Sequence, residues 1–195
     1  MKKLNLFALV AICMLTLGVS KNVNAQISAG VSGGLGLPMG DFGDKTKMGA
    51  SMGFGIGALG RYAINDNLHV GAGLGYYMFS GQEIDLGLLG KMKPSYNIIP
   101  ITASVDYYFM TEGIKPFATL DLGMFNVGGK VELGGSSTAM TAETKFGFGV
   151  GAGAAMELND NMDLFGTVKY NSVAITGGTV SWVGLNVGVS MKFGN

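Results

Sequence analysis

Cysteine is almost absent from this sequence, since the 195 residues contain only Cys13. It lies within an apolar run from Leu4 to Val19, directly after Ile12. A bacterial lipoprotein signal has a small residue immediately before its cysteine, and isoleucine is not small. We therefore expect no lipid anchor, and without other cysteines the rest of the chain has no disulfide and no thiolate ligand for a metal.

The apolar run has the organisation of a secretory signal peptide. Lys2 and Lys3 precede it, and the polar stretch "KNVNAQ" follows it. The run is short for a membrane span, which makes an uncleaved anchor the less favoured alternative. Because Val23-Asn24-Ala25 fits the cleavage pattern, we expect residues 1–25 to be a signal peptide and residues 26–195 to form one exported domain.

Long apolar runs and charged residues are scarce in the remainder. No run of eighteen apolar residues occurs after residue 25, which excludes transmembrane helices. Only 13% of residues are charged and the net charge is zero, so nucleic acid is not an expected partner. The mean hydropathy is nevertheless +0.36. An exported, apolar chain of this kind fits a closed β-barrel, which bonds all of its backbone within lipid.

Glycine, in contrast, is abundant, with 34 residues. The stretch "GASMGFGIGALGRY" (residues 49–62) even matches the dinucleotide-binding pattern G-x-G-x-x-G at Gly55, Gly57 and Gly60. That pattern carries meaning only in a turn between a strand and a helix. Here the glycines recur mostly at alternate positions, as they also do in "GAGLGYY" and "GFGVGAG", and this period is that of a β-strand. The pattern favours repeated strands over a nucleotide site.

Apolar residues also alternate with polar or small ones. From Val183 to Phe193 every odd position is apolar, whereas the even positions from Trp182 to Lys192 read Trp, Gly, Asn, Gly, Ser, Lys. Residues 68–78 and 162–170 alternate in the same way, and their charges lie opposite the aliphatic face. A water-soluble β-sandwich would carry charge on its outer face. The pattern therefore predicts strands with lipid on one side and a lumen on the other.

The alternation predicts an all-β fold, an eight-stranded antiparallel up-and-down transmembrane β-barrel. The predicted strands are 26–37, 48–63, 68–81, 95–109, 114–128, 144–158, 162–172 and 180–193. Short turns at 65–67, 110–113 and 159–161 alternate with longer loops around 38–47, 82–94, 129–143 and 173–179. Short turns face the periplasm in such barrels, which places both termini there. Because proline removes a ladder hydrogen bond, we expect a bulge at Pro100.

Four stretches of the sequence carry a family resemblance: "LPMGDF" (residues 37–42), "GRYAINDNLHVGAGLGY", "KPF" (residues 115–117) and the closing "VGVSMKF". They resemble the small eight-stranded outer-membrane β-barrel family of Gram-negative bacteria, which includes the barrel domains of OmpA, OmpX and OmpW and porin-family proteins of Bacteroidota. The resemblance implies a protein of the cell envelope, located in the bacterial outer membrane. It implies a monomer surrounded by outer-membrane lipids and lipopolysaccharide.

The resemblance also implies help in biogenesis from periplasmic chaperones and the barrel-assembly machinery. Phe193 resembles the terminal aromatic residue that this machinery reads. In the family this residue is usually the last one, whereas Gly194 and Asn195 follow it here.

Strand parity places nine ionisable residues inside the predicted lumen. They are Arg61, His69, Asp106, Lys115, Asp121, Glu157, Asp163, Lys169 and Lys192. Parity also points seven aromatic residues inward: Tyr77, Phe79, Tyr108, Phe117, Phe125, Phe165 and Trp182. Inward glycines give these rings room, and an eight-stranded barrel is just wide enough for its own side chains or one small ligand.

The four positive and four negative inward residues predict a lumen that is plugged by ion pairs, because an isolated charge there is costly. Near the periplasmic end we expect Lys115 to meet Asp106 or Glu157, Asp163 to meet Lys192, and Arg61 to reach toward Asp106. Higher in the lumen, Asp121 and Lys169 could pair. The alternative use of these charges is a path for protons or solutes.

Enzymes exist on this fold, including lipid A deacylases, palmitoyl transferases and omptin proteases, and the resemblance implies catalytic groups at the outer rim. The only histidine, His69, follows a periplasmic turn, so we expect no catalysis, no cofactor and no metal site. Two classes remain: a structural or surface-interaction barrel, and a narrow channel or carrier for small, mostly apolar molecules. The apolar residues Ile84, Leu86, Leu88 and Leu89 in loop 82–94 fit either a strand extension or a hydrophobic entry patch.

Overall fold

The computed structural model describes residues 27–85, 87, 90–133 and 136–193. The predicted signal peptide and Cys13 lie outside the described residues, as do Leu86, Leu88, Leu89 and the two residues after Phe193. The strands are β1 Ile27–Met39, β2 Ala50–Ala63, β3 Leu68–Gly81, β4 Ile84–Asp85, β5 Lys91–Tyr108, β6 Ile114–Leu133, β7 Ser136–Asn159, β8 Met162–Ile175 and β9 Gly178–Phe193, and one short helix, α1, spans Gly40–Gly43. Among these residues no helix is long and apolar enough to cross a membrane.

The eight long strands form one closed antiparallel sheet. Each pairs with its neighbour along the chain, β3 pairs with β5, and β1 pairs with β9 from Ile27 opposite Phe193 to Met39 opposite Ser181. The two-residue strand β4 only adds to the start of β5. The prediction of an eight-stranded up-and-down barrel is confirmed.

The outer face of the barrel is apolar, with aromatic side chains toward both of its edges. Aliphatic residues such as Val31, Ile56 and Val187 are exposed there. The exposed aromatic residues at the periplasmic ends of strands are Tyr107, Phe109 and Phe193, and those eight or more positions further along are Phe54, Tyr76, Phe146, Phe148 and Tyr170. At the usual strand rise and tilt this separation is roughly 20–25 Å, which matches the apolar band of an outer-membrane barrel.

Two of the predicted long loops are wrong. β6 continues to Leu133 and β7 starts at Ser136, while β8 and β9 are joined by two residues after Ile175. The residues around 129–143 and 173–179 therefore belong mostly to hairpins. Backbone ladder bonds continue through polar sequence that no longer alternates, because above the membrane neither face has to be apolar.

One of these hairpins rises above the rest of the wall. β8 pairs with β7 only from Gly147 on, whereas the pairing of β7 with β6, and of β6 with β5, continues to Leu133. Residues 91–94, 127–133 and 136–146 thus continue the sheet beyond the neighbouring strands, with β4 paired to the start of β5, and are here called the outer extension. Among the described residues, the edge of β7 that faces away from β6 has no strand partner in this part.

The structure also corrects the bulge expected at Pro100. The register between β3 and β5 is the same before and after this residue, with Leu74 opposite Ile101 and Tyr77 opposite Ile98. Only the two pairs in between are missing from the ladder. The opposing residue is Gly75, at which a Cβ would lie 2.9 Å from the Pro100 ring. The missing side chain of the glycine makes room for the proline ring, so no extra residue is needed.

The connection between β1 and β2 contains α1, which the sequence did not predict. Its Phe42 is fully buried and reaches down into the outer mouth of the barrel. The lumen beneath it is the candidate functional site.

A candidate functional site in the barrel lumen

The outer half of the lumen is filled by aromatic and aliphatic side chains. Trp182 on β9 lies 5.4 Å from Tyr77 and 6.0 Å from both Phe79 and Phe125, measured between ring centroids. Phe42 covers Phe79 at 5.0 Å. All seven aromatic residues that parity placed inside are buried. These rings form an aromatic layer in the outer half of the lumen.

Glycines on neighbouring strands provide the space for these rings. A Cβ at Gly55 would lie 2.3 Å from the Tyr77 ring, and a Cβ at Gly53 would lie 2.6 Å from the Phe79 ring. These glycines belong to the stretch that resembles a nucleotide-binding loop. They lie within β2 and act as sites for aromatic packing.

Below the aromatic layer, the Lys169 ammonium on β8 pairs with the Asp121 carboxylate on β6. The two residues lie on strands that are not adjacent, because β7 runs between them. The intervening residue on β7 is Gly149, at which a Cβ would lie 3.3 Å from Lys169 and 3.4 Å from Asp121. The glycine lets the lysine cross the intervening strand.

The second buried pair is built in the same way. Arg61 on β2 donates from Nε to Asp106 on β5 at 2.5 Å, and Gly71 of the intervening β3 faces the Arg61 stem. The two side chains are 9% and 2% exposed, so the charges are removed from bulk water. The guanidinium also lies 5.1 Å from the Phe165 ring centroid, a cation–π contact. Asp106 Oδ1 has no hydrogen-bond partner among the described residues.

Four further charges form a cluster at the periplasmic rim. Lys115 and Lys192 both contact Glu157, at 3.0 and 2.8 Å, and Lys192 also lies 3.1 Å from Asp163. Lys115 lies 3.6 Å from the same aspartate. Two cations and two carboxylates thus compensate one another. The glutamate is more than half exposed, so the cluster borders on water.

The structure does not bring His69 into these groups. Its ring lies beside Tyr108, with centroids 4.6 Å apart, at the periplasmic end of β3. Among the described residues it makes no ion pair with a carboxylate. Phe193, the predicted assembly signal, lies on the outer face opposite Ile27 and is about half exposed.

Two cavities remain between the filled layers. A periplasmic vestibule of about 640 Å³ is lined by His69, Lys115 and Lys192, among others. A smaller cavity of about 100 Å³ is lined by Asp106, Asp121 and Lys169, enough space for about three water molecules. Arg61 and Phe165 line both cavities and separate them.

Strand parity assigned all nine ionisable residues to the lumen, but the glycines between the paired charges had no signal of their own. Gly71 and Gly149 differ from other inward glycines only in their strand register, which a single sequence does not reveal. In the part of the chain that the structure describes, no three His, Cys, Asp or Glu side chains converge on a metal site. The arrangement holds compensated charges in place.

The closed sheet, the apolar belt and the filled lumen define a membrane-spanning β-barrel of the smallest class. The chain belongs to the family described as outer membrane protein beta-barrel domain, whose model matches residues 7–193. Membership places the protein in the bacterial outer membrane. No curated protein sequence matches this chain significantly.

Solved structures share the fold. Neisserial surface protein A is 24% identical, covers 88% of this chain with 98% of its own, and superposes with a TM-score of 0.60. Ail, the attachment invasion locus protein of Yersinia pestis, is 14% identical with a TM-score of 0.57, covering 88% of this chain and 100% of its own. A major outer membrane protein from Thermus thermophilus is 15% identical with a TM-score of 0.54, covering 86% and 99%. At these identities the likeness concerns the fold.

Proposed function

We propose that this protein is a monomeric, non-catalytic outer-membrane barrel with a structural or surface-interaction role and a lumen that is closed by side chains. It would reach the membrane through a cleavable signal peptide, residues 1–25. Chaperones and the barrel-assembly machinery would then recognise its terminal strand through Phe193. Lipids and lipopolysaccharide would surround the apolar belt.

The observation that carries this proposal is the succession of filled layers along the lumen. From the outside inward these are Phe42, the aromatic layer around Trp182, and the pair of Lys169 with Asp121. Arg61, which pairs with Asp106, then lies with Phe165 between the small cavity and the vestibule. A path for ions would have to pass a tryptophan that is fully buried and charges that are already neutralised.

The outer extension supports a role in surface interactions. Its polar residues, such as Thr138, Thr141 and Glu143, stand above the belt, and one edge of β7 lacks a strand partner there among the described residues. A free edge offers backbone donors and acceptors to an extended peptide. Two of the structural neighbours are named as a surface protein and an attachment invasion locus protein.

Single-channel recording in planar bilayers tests the closed lumen. We expect the unmutated barrel to conduct little. A double variant, Phe79→Ala with Trp182→Ala, serves as the opened control, because it removes two rings of the aromatic layer. Large, steady currents from the unmutated protein would contradict the proposal and favour the alternative, a narrow channel. Conduction is the first property to measure.

The surface role needs a test in cells. Replacing residues 128–142 by Asn-Gly joins Val127 to Glu143, which lie opposite each other, and so keeps the hairpin while removing most of the unpaired edge of β7. Cells that display this variant should adhere less to protein-coated surfaces than cells with equal amounts of the unmutated protein. Equal adhesion would contradict the surface-interaction role, and only the structural role would remain.

A further inference from the structure

Phe42, in the motif "LPMGDF", lies at the outer mouth of the barrel. In the proposed closed lumen the layers beneath it already block the path, so closure alone does not explain its position. Its ring is fully buried and packs edge-on against Phe79 at 5.0 Å and Tyr96 at 5.3 Å. Ile98, Val180 and the other apolar side chains of the same cluster complete the surroundings. These wall residues come from barrel strands, whereas Phe42 comes from a surface connection. The pocket is therefore built independently of the ring that fills it.

The segment that carries Phe42 is joined to the barrel by a glycine at each end. Gly40 and Gly49 have left-handed φ angles of 55° and 61°, a conformation that glycine adopts without strain. Of residues 40–48 only Phe42 is buried. The segment's charged side chains bond within the segment, as Lys47 does with Asp41 at 2.5 Å. Such a segment can move as a unit.

Few polar contacts tie the segment to the barrel wall. The Tyr96 hydroxyl donates to the Met48 carbonyl at 2.6 Å, and the backbone N–H of Gln82 donates to the Gly49 carbonyl at 2.9 Å. Both contacts lie at the end of the segment that joins β2. At the end that carries Phe42, α1 packs against β9 and Pro38, and among the described residues it makes no hydrogen bond to the wall.

The wall also contains an unfulfilled hydrogen-bond donor. The indole N–H of Trp182, whose ring lies 6.0 Å from Phe79 in the same cluster, is fully buried and has no partner among the described residues. Buried donors in native proteins nearly always have a partner. A small molecule that carries an acceptor atom on an apolar body would supply one.

We propose that the outer mouth is a binding site for small aromatic molecules, and that Phe42 occupies this site when no such molecule is bound. Binding requires withdrawal of α1 by rotation about Gly40 and Gly49. Trp182 and the ion pairs below stay in place, so the molecule is held at the mouth and does not pass through. The phenyl ring of Phe42 shows the shape and chemistry that the pocket accepts.

Trp182 provides the measurement, because it is the only tryptophan of the chain. Anisole, whose ether oxygen can accept a hydrogen bond from the indole N–H, is the probe, titrated into the detergent-solubilised protein while tryptophan fluorescence is followed. The Phe42→Ala variant lacks the internal competitor. The probe concentration that gives half of its saturated signal should therefore be on the order of 10- to 100-fold lower than for the unmutated protein. The unmutated protein should reach the same saturated signal at higher concentration. Absence of a saturable response in the unmutated protein overturns the proposal.

Two further variants separate binding at the mouth from uptake of anisole by detergent or by the outer face. Phe148→Ala removes an exposed, lipid-facing ring and should leave the response unchanged. Asp41→Cys with Gly178→Cys can lock α1, since a Cβ at Gly178 would lie 3.7 Å from the Asp41 side chain. The oxidised form should lose the response and the reduced form should regain it, a test that holds even if Phe42→Ala does not fold. Equal responses of both forms contradict withdrawal of α1.

Discussion

Lys169 and Asp121 meet above Gly149, beside a cavity with space for only a few water molecules that could replace a lost partner. Lys169→Ala leaves the Asp121 carboxylate buried and uncompensated. We expect the free energy of unfolding to fall by about 3 kcal/mol, or less where water enters the adjacent cavity. Urea unfolding in detergent micelles, followed by Trp182 fluorescence, gives this value.

A surface pair provides the matched control. Lys130 and Glu132 form an ion pair at 2.6 Å in the outer extension, where both side chains are about half exposed. Lys130→Ala should change stability by less than about 1 kcal/mol. Equal losses in the two variants would show that the lumen pair is as well hydrated as the surface pair.

Asp44, in the connection after α1, tests the electrostatics of the Phe42-bearing segment. Hydrogen bonds from the Thr46 hydroxyl and amide to its carboxylate hold the pKa of Asp44 below its ordinary value. Because its pKa is lowered, ionised Asp44 stabilises the folded segment at pH values above the ordinary pKa of the carboxyl group. This contribution is lost as the pH falls through the lowered pKa. Thr46→Val should raise the pKa of Asp44, which carboxyl NMR measures directly. An unchanged titration would mean that the hydroxyl bond is absent in solution.

At the scale of whole strands, glycine positions decide where aromatic rings fit. Gly55→Ala on β2 places a methyl group against the Tyr77 ring, which should destabilise the barrel by about 1–3 kcal/mol. Gly60→Ala on the same strand faces lipid and meets nothing closer than 4.0 Å, so it should be neutral or slightly stabilising. Urea unfolding of the two variants makes the comparison. Equal stability would mean that Tyr77 can leave its position without cost.

The strands themselves could be predicted from the sequence because lipid imposes one rule along each of them. Every second residue of a strand such as β9 must be apolar, and this period is visible without any knowledge of its neighbours. The prediction failed where this rule ends. Near its tip, at residues 130–133 and 136–139, the outer extension is largely exposed on both faces, and α1 carries only one buried residue, Phe42, which produces no period at all.

A similar limit applies to the candidate site, for which the sequence predicts the residues in the lumen but not their pairing. Parity alone places Lys169 and Asp121 in the lumen, since it depends on position within one strand. Which charges meet depends on register between strands and on the glycines that lie between them. Pro100 shows the same dependence, because the opposing Gly75 removed the need for a bulge.

At the scale of the whole molecule, the topology predicts which side of the membrane each lysine faces. A protease added outside intact cells should cleave first at Lys45 or Lys47, which are exposed between α1 and β2. It should spare Arg61 and Lys115 at the periplasmic end. Mass spectrometry of the released peptides identifies the sites. Cleavage at Arg61 or Lys115, with Lys45 and Lys47 protected, would show that the barrel has the opposite orientation in the membrane.

The pairing of β1 with β9 makes the order of the strands circular. Because Ile27 lies opposite Phe193, a short linker could join these ends, and the chain could be opened instead at the turn around Asp160. Such a circular permutant keeps every pair of the sheet, so it should refold in detergent and show heat-modifiable migration on gels.

Its last strand would then end at Asn159 rather than at Phe193. Fused to residues 1–26 and produced in cells, the permutant should accumulate in the periplasm if the terminal aromatic residue directs insertion. Normal insertion would show that Phe193 is not needed at the end of the chain. The strand pairing that forms the barrel is circular and does not depend on where the chain begins. The insertion signal, in contrast, depends on which residue lies at the end of the last strand.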